Sequence, residues 1–222
     1  MRMTHEPQKP ATDYFTANLA DGLPYRIRKT VLIVFFDAQG RVFIGLDAKR
    51  HVWDLPQGGI NKGETIEQAF YREAREEVGL EAVALRVLGG LPHPYFFEFH
   101  DKGMNRKWAG KALAVVAALV PDVQAIDLNA GHDHEGQAFT RHGFDAIDAL
   151  LAEGSLFHQA VPADRFGIYH DVLTSLRPVA AALANGSSGT GILPAIALNK
   201  MEFWQAAVPQ CGGVVSGVVE RT

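Results

Sequence analysis

One stretch, Gly58 to Leu80, constrains the fold of this chain more than any other. It opens with a glycine-rich turn, Gly58-Gly59-Ile60-Asn61-Lys62-Gly63, and continues as a segment with the marks of a single helix. Thr65 is a good N-cap, and Gln68 three positions later completes a capping box. Gly79 suits the left-handed residue just past a helix C-terminus. Between these ends Ile66, Ala69, Phe70 and Ala74 recur at helical spacing as an apolar stripe. At about 100° per residue, Glu73 and Glu77 fall on the centre line of that stripe and Glu76 on its flank. Gln68, Tyr71 and Arg75 occupy the opposite face. The spacing therefore predicts a helix whose inward face is apolar in its first half and acidic in its second. Carboxylates turned toward the protein repel one another and lose hydration. A hard divalent cation is the compensation best matched to oxygen ligands. An ordinary solvated acidic face would carry its acids on the outer side instead.

The same residues fill a known signature. The Nudix box reads G-x5-E-x7-R-E-U-x-E-E-x-G-U, where U is a bulky apolar residue. Gly58, Glu64, Arg72, Glu73, Glu76, Glu77, Gly79 and Leu80 occupy its fixed positions, and Ala74 takes the first apolar one, smaller than usual. The chain thus resembles the Nudix hydrolases, over roughly Arg26 to Leu176. The resemblance implies an α/β fold, the αβα sandwich with a mixed β-sheet between helices. It implies cleavage of a phosphoanhydride bond in a nucleoside diphosphate linked to another moiety.

Composition sets the outer limits. In 222 residues there is room for one full core and an appendage. With 21 Lys plus Arg against 25 Asp plus Glu, the chain is not built to coat nucleic-acid backbones, although it can still grip one phosphorylated end. Cys211 is the only cysteine, which excludes a disulfide framework and a cysteine-based zinc site and fits a reducing cytoplasm. Met1 to Tyr14 is polar and has no apolar run of the secretory kind. The longest apolar run, Ala112 to Val120, is too short to span a bilayer, so a soluble protein is expected.

Along the chain, residues 1–23 read as an irregular arm, 24–184 as the Nudix domain and 185–222 as a linker and tail. Thr30 to Phe36 and Arg41 to Leu46 form a strand pair around the turn at Asp37-Ala38-Gln39-Gly40. Strands are expected at Ala82 to Leu88, Tyr95 to Phe99, Lys111 to Val120 and, more briefly, Gln137 to Thr140. A short helix is expected over Phe144 to Leu151 and a last one over Ala163 to Leu176, with Pro178 ending or kinking it. Asn185 to Gly191 is a flexible linker by composition. The sequence leaves open whether the rest of the tail docks, pairs with another chain or stays disordered.

The resemblance also distributes roles. Glu73, Glu76 and Glu77 align with the family's metal ligands, and the backbone carbonyl of Gly58 joins them. The implied cofactor is Mg²⁺, with Mn²⁺ as the alternative. Arg72 orients the catalytic carboxylates and pairs with Glu64, which is structural, as is Gly79. The general base is either a box glutamate or a downstream one, for which Glu135 is the candidate. His132 and His134 bracket it and read as solvated loop residues. Arg26, Lys49, Lys62 and Lys107, with Arg50 beside them, are the candidates for holding phosphates. Trp53, Tyr95 and Phe96 are candidates for stacking a base. The run Leu55-Pro56-Gln57-Gly58-Gly59-Ile60 is similar to the branch of dinucleoside polyphosphate hydrolases and bacterial RNA 5′-pyrophosphohydrolases. The expected partner is a nucleotide substrate, including the 5′ end of RNA. The other readings are a Nudix hydrolase of a nucleotide sugar, a dinucleotide cofactor or a damaged nucleoside triphosphate, and a non-catalytic nucleotide sensor.

Overall fold

The computed structural model describes residues 27–98, 110–130, 138–155, 157–158, 163–196 and 203–204. Its strands are β1 (Ile27–Phe36), β2 (Val42–Asp47), β3 (Trp53–Asp54), β4 (Gln57–Gly59), β5 (Arg86–Gly90), β6 (Tyr95–Glu98), β7 (Gly110–Leu119) and β8 (Phe139–Asp145). Its helices are α1 (Ile66–Val78), α2 (Ile147–Leu151), α3 (Ala163–Ser175) and α4 (Arg177–Ala184).

The two long apolar strands make the middle of the sheet. β1 and β7 pair in parallel from Ile27 opposite Gly110 to Phe36 opposite Leu119. The path runs β3-β2-β1-β7-β5, with β4 on β1, β6 on β7 and β8 on β2, and every pair except β1–β7 is antiparallel. Strand side chains alternate between faces, so β1 and β7 feed two cores. Leu32, Val34 and Phe36, with Leu113, Val115 and Ala117, meet α2, α3 and α4. Val31, Ile33 and Phe35, with Ala114, Val116 and Ala118, meet the stripe of α1. This is the mixed-sheet αβα sandwich that the resemblance implied.

The helix α1 has the ends its sequence calls for. Thr65 accepts from the Gln68 N–H while the Gln68 side chain accepts from the Thr65 N–H, and Gly79 closes the helix at φ 69°.

Three elements differ from the sequence reading. Ala82 to Leu88 is not one strand but a 3-10 turn over Ala82–Ala84 followed by β5. Val83 is 98% exposed there, so its β-branched side chain has no core to line. β8 runs on to Asp145, and helix α2 starts only at Ile147. Phe144 and His142 lie against Phe43 of β2 at 5.7 and 5.5 Å, and this cross-strand packing outweighs the helical pattern. Pro178 stands in the first turn of α4, where its missing N–H has no partner to lose.

After α4 the chain turns back onto the sheet edge. The Gly90 N–H donates to the Pro194 carbonyl at 3.0 Å, and Leu193 packs on the α3 side. Gly89, at φ 132°, leaves no room for a Cβ against Pro194. Ile196 and Trp204 pack on the α1 side, so the segment passes around the β5 edge from one layer to the other. It covers backbone groups that an edge strand would otherwise expose. Trp204 is fully buried, with Lys29 Nζ 5.3 Å from its ring centre. Trp204→Ala is expected to lower unfolding stability by about 3 kcal/mol, the usual loss for deleting a large buried aromatic. Urea denaturation of the full chain checks this. The arm 1–23, Cys211 and the remainder of the tail lie outside the described residues.

Candidate active site

The acidic half of α1 faces the glycine turn. β4 is locked to β1 by pairing Gly58 with Val31 and Gly59 with Thr30, which holds the turn over the helix. Any Cβ on Gly58 would overlap the Glu73 carboxylate, and one on Gly59 would crowd the Arg28 guanidinium. The missing side chains therefore leave room for one acid and one cation. Gly58→Ala is expected to displace Glu73 and lower turnover on the order of 100-fold, with little change in melting temperature. Steady-state kinetics beside a thermal melt checks it.

Arg72 organises the acids around it. Its Nε and Nη2 bond the two Glu64 oxygens at 2.8 and 2.9 Å. Nη1 bonds Glu73 at 2.6 Å and Glu76 at 2.9 Å, and Nη2 also reaches the Gly59 carbonyl at 2.7 Å. An arginine has five N–H donors, and here five contacts use them. Glu64 further accepts from the Asn61 N–H at 2.8 Å, and its bond to Arg72 holds its carboxyl below the ordinary range. It ties helix to turn.

Glu77 is held differently. It takes no bond from Arg72; its Oε2 accepts the Gln57 backbone N–H at 2.8 Å. Burial pushes its carboxyl well above the ordinary range, and the neighbouring Glu73 charge adds to this, against the Gln57 N–H and Lys111. Glu73 is 7% exposed and is also raised, by burial first, with Arg72 opposing. Glu73 Oε2, Glu76 Oε1 and Glu77 Oε1 carry no hydrogen bond among the described residues. As the side chains stand, no three His, Cys, Asp or Glu residues among those described converge to hold a metal ion. The donor set nonetheless fits a hard cation: three carboxylates, each with one open oxygen, two of them disfavoured as bare charges. The Glu76 side chain is 37% exposed.

Of the cations expected to hold phosphates, only Lys49, Arg50 and Lys62 lie within the described residues. Lys49 and Lys62 are exposed and make no ion pair among the described residues, and Arg50 is bound to Asp47 and Asp54. Arg26, Lys107, Glu135, His132 and His134 lie outside the described residues. Arg28 and Lys111 stand opposite each other on β1 and β7, and their charges reach Glu73 and Glu77 respectively. Lys111 carried a signal in the sequence, as a lone cation opening the most apolar strand. Tyr95 and Phe96 are buried in the two cores at 3% and 1% exposure and are closed to a base. Trp53 packs against the α3-side core.

The NUDIX domain model matches residues 26–161. The chain belongs to the Nudix family. An RNA pyrophosphohydrolase of Sphingopyxis alaskensis is 38% identical over 93 residues, covering 41% of this chain and 58% of that protein. The chain thus spans little more than half the length of that relative. An RNA pyrophosphohydrolase of Hydrogenovibrio crunogenus is 28% identical over 142 residues, covering 60% of this chain and 86% of that protein. A C. elegans Ap4A hydrolase in binary complex superposes with a TM-score of 0.50 at 16% identity, over 70% of this chain and 99% of that one. At that identity the likeness bears on the fold alone. The Nudix domain lies within the sandwich, and its box is the turn and helix described above. Nudix hydrolases generally use divalent metals. No helix among the described residues is long and apolar enough to cross a membrane.

Proposed function

We propose that this chain is a divalent-metal-dependent Nudix pyrophosphohydrolase of nucleoside polyphosphates, with the 5′-triphosphorylated end of RNA as its substrate. One observation carries the activity: Glu73 lies against Gly58, Glu77 accepts from the neighbouring Gln57 N–H, and Glu76 shares Arg72 with Glu73, each acid keeping an open oxygen. The choice of RNA is supported by the two relatives named as RNA pyrophosphohydrolases.

The three glutamates, with the Gly58 carbonyl, would hold Mg²⁺ or Mn²⁺. Such an ion neutralises phosphate charge and makes a bound water acidic. The protein's own part is to orient and to move a proton. Arg72 keeps Glu73 and Glu76 beside the turn. Arg28, exposed over Gly59, and Lys111 offer positive charge to a polyanion, together with Arg26, Lys49, Lys62 and Lys107. Water forms an O–P bond, one phosphoanhydride bond breaks, and pyrophosphate leaves a 5′-monophosphate. The water proton goes to a carboxylate, for which we assign Glu135. A nucleotide substrate and a lone cysteine fit a cytoplasmic enzyme.

The test is product chromatography with Mg²⁺ and then with EDTA, on a short 5′-triphosphorylated RNA and on diadenosine tetraphosphate. Pyrophosphate release from the RNA, abolished by EDTA, is expected. Faster cleavage of diadenosine tetraphosphate would overturn the choice of substrate. If both remained intact, nucleotide sugars and cofactors would come next. Binding without turnover across that panel would make the domain a sensor.

A further inference from the structure

Polar side chains link α3 to α1 across the plane of the sheet, through β4. Tyr169 of α3 is 2% exposed, with its ring stacked on Phe157 at 5.7 Å. Its hydroxyl donates to Asp54 Oδ1 at 2.6 Å and accepts from Gln57 Nε2 at 2.8 Å. Lys111 Nζ donates to the other end of the same amide, Gln57 Oε1, at 2.9 Å. A lysine can only donate, so the amide oxygen must face Lys111 and the amide nitrogen Tyr169. Asp54 is 3% exposed and is itself held by the Leu55 N–H at 2.9 Å and by Arg50 at 2.7 Å. Gln57 is thereby gripped at both ends of its side chain, and its backbone N–H is the bond on Glu77.

We propose that Tyr169 is a positioning residue: by clamping the Gln57 amide, its hydroxyl aims the Gln57 peptide N–H and so sets the orientation of Glu77. The inference rests on the reading of Glu77 as a metal ligand. Two features separate it from plain packing. Arg72 uses its donors on Glu64, Glu73, Glu76 and the Gly59 carbonyl, so nothing on α1 orients Glu77. A phenylalanine at 169 would also fill the core and stack on Phe157. What the tyrosine adds is an oxygen, placed between a buried carboxylate and Gln57, whose backbone N–H meets Glu77. Burying a hydroxyl is unfavourable unless it is bonded, and here both of its roles are used.

The test compares the parent chain with Tyr169→Phe, Gln57→Met and the double variant. Mn²⁺ affinity is read from the spin-resonance signal of free Mn²⁺, kcat and KM from pyrophosphate release, and folding from thermal melts. Tyr169→Phe is expected to weaken Mn²⁺ binding about 10-fold and lower kcat by a similar factor, with KM within about twofold. Gln57→Met should do the same, and the double variant should be no worse than Gln57→Met alone, since both act on one link. A Tyr169→Phe chain with the parent's Mn²⁺ affinity and kcat overturns the inference, as do losses that multiply in the double variant. Should Tyr169→Phe melt far below the parent, Gln57→Met decides: parent-like Mn²⁺ binding there also overturns it. A parent chain that neither binds Mn²⁺ nor cleaves either substrate overturns the proposed function, and the inference with it. A parent that does both leaves the variants to judge Tyr169 alone.

Discussion

Glu77→Gln is expected to cut turnover on the order of 100-fold or more while making the metal-free protein melt at a higher temperature. The two effects share a cause. Burial and the Glu73 charge make an ionised Glu77 unfavourable in the folded chain, and the Gln57 N–H only partly offsets this. A glutamine keeps the acceptor for that N–H, removes the charge and removes the ligand. The pH dependence has a definite sign. Glu77 is raised in the folded state from an ordinary value of 4.5, so the folded state binds its proton more tightly than the unfolded one. Its unfavourable contribution is full above the folded pKa. It fades as pH falls through that value and is gone below 4.5, where both states are protonated. Thermal melts in EDTA from neutral pH to about pH 5 should therefore show the stability advantage of Glu77→Gln shrinking as pH falls. A constant advantage, or none, would contradict an unfavourable charge at Glu77.

Arg72→Lys should be nearly as damaging despite keeping the charge. One guanidinium spans Glu64, Glu73, Glu76 and the Gly59 carbonyl. An ammonium has three donors on a single nitrogen and cannot reach that set at once. Glu64 would lose its bidentate pair, and the turn would lose its tie to α1. The expected result is a stability loss of about 2 kcal/mol and a fall in turnover on the order of 100-fold. Urea denaturation and steady-state kinetics read the two separately. Near-parent activity would mean that the charge matters and the fork does not.

What could be read from the chain followed how local each signal is. The helix from Ile66 to Val78, its capping box and its closing glycine are fixed by neighbours three or four residues apart, so their spacing is in the letters. The inward direction of Glu73 followed the same geometry, because a helix rotates its side chains predictably. Strand ends were harder. Val83 has a β-branched side chain but no core to line, and Phe144 joins a strand because Phe43 lies across from it. Both outcomes depend on a partner far away in sequence.

The sequence by itself determined the box, its helix and the set of acids on the inner face. Only the tertiary structure decided which groups attend those acids. Arg28 and Lys111 lie 83 positions apart and become neighbours solely because β1 and β7 pair in parallel. In the sequence Tyr169 shares helical spacing with Phe166, Val172, Leu173 and Leu176, an apolar stripe, and periodicity records that a side chain points inward and not what its hydroxyl will meet. It meets Gln57, 112 residues away in the chain, because the glycine turn and α3 are brought together at one end of the sheet.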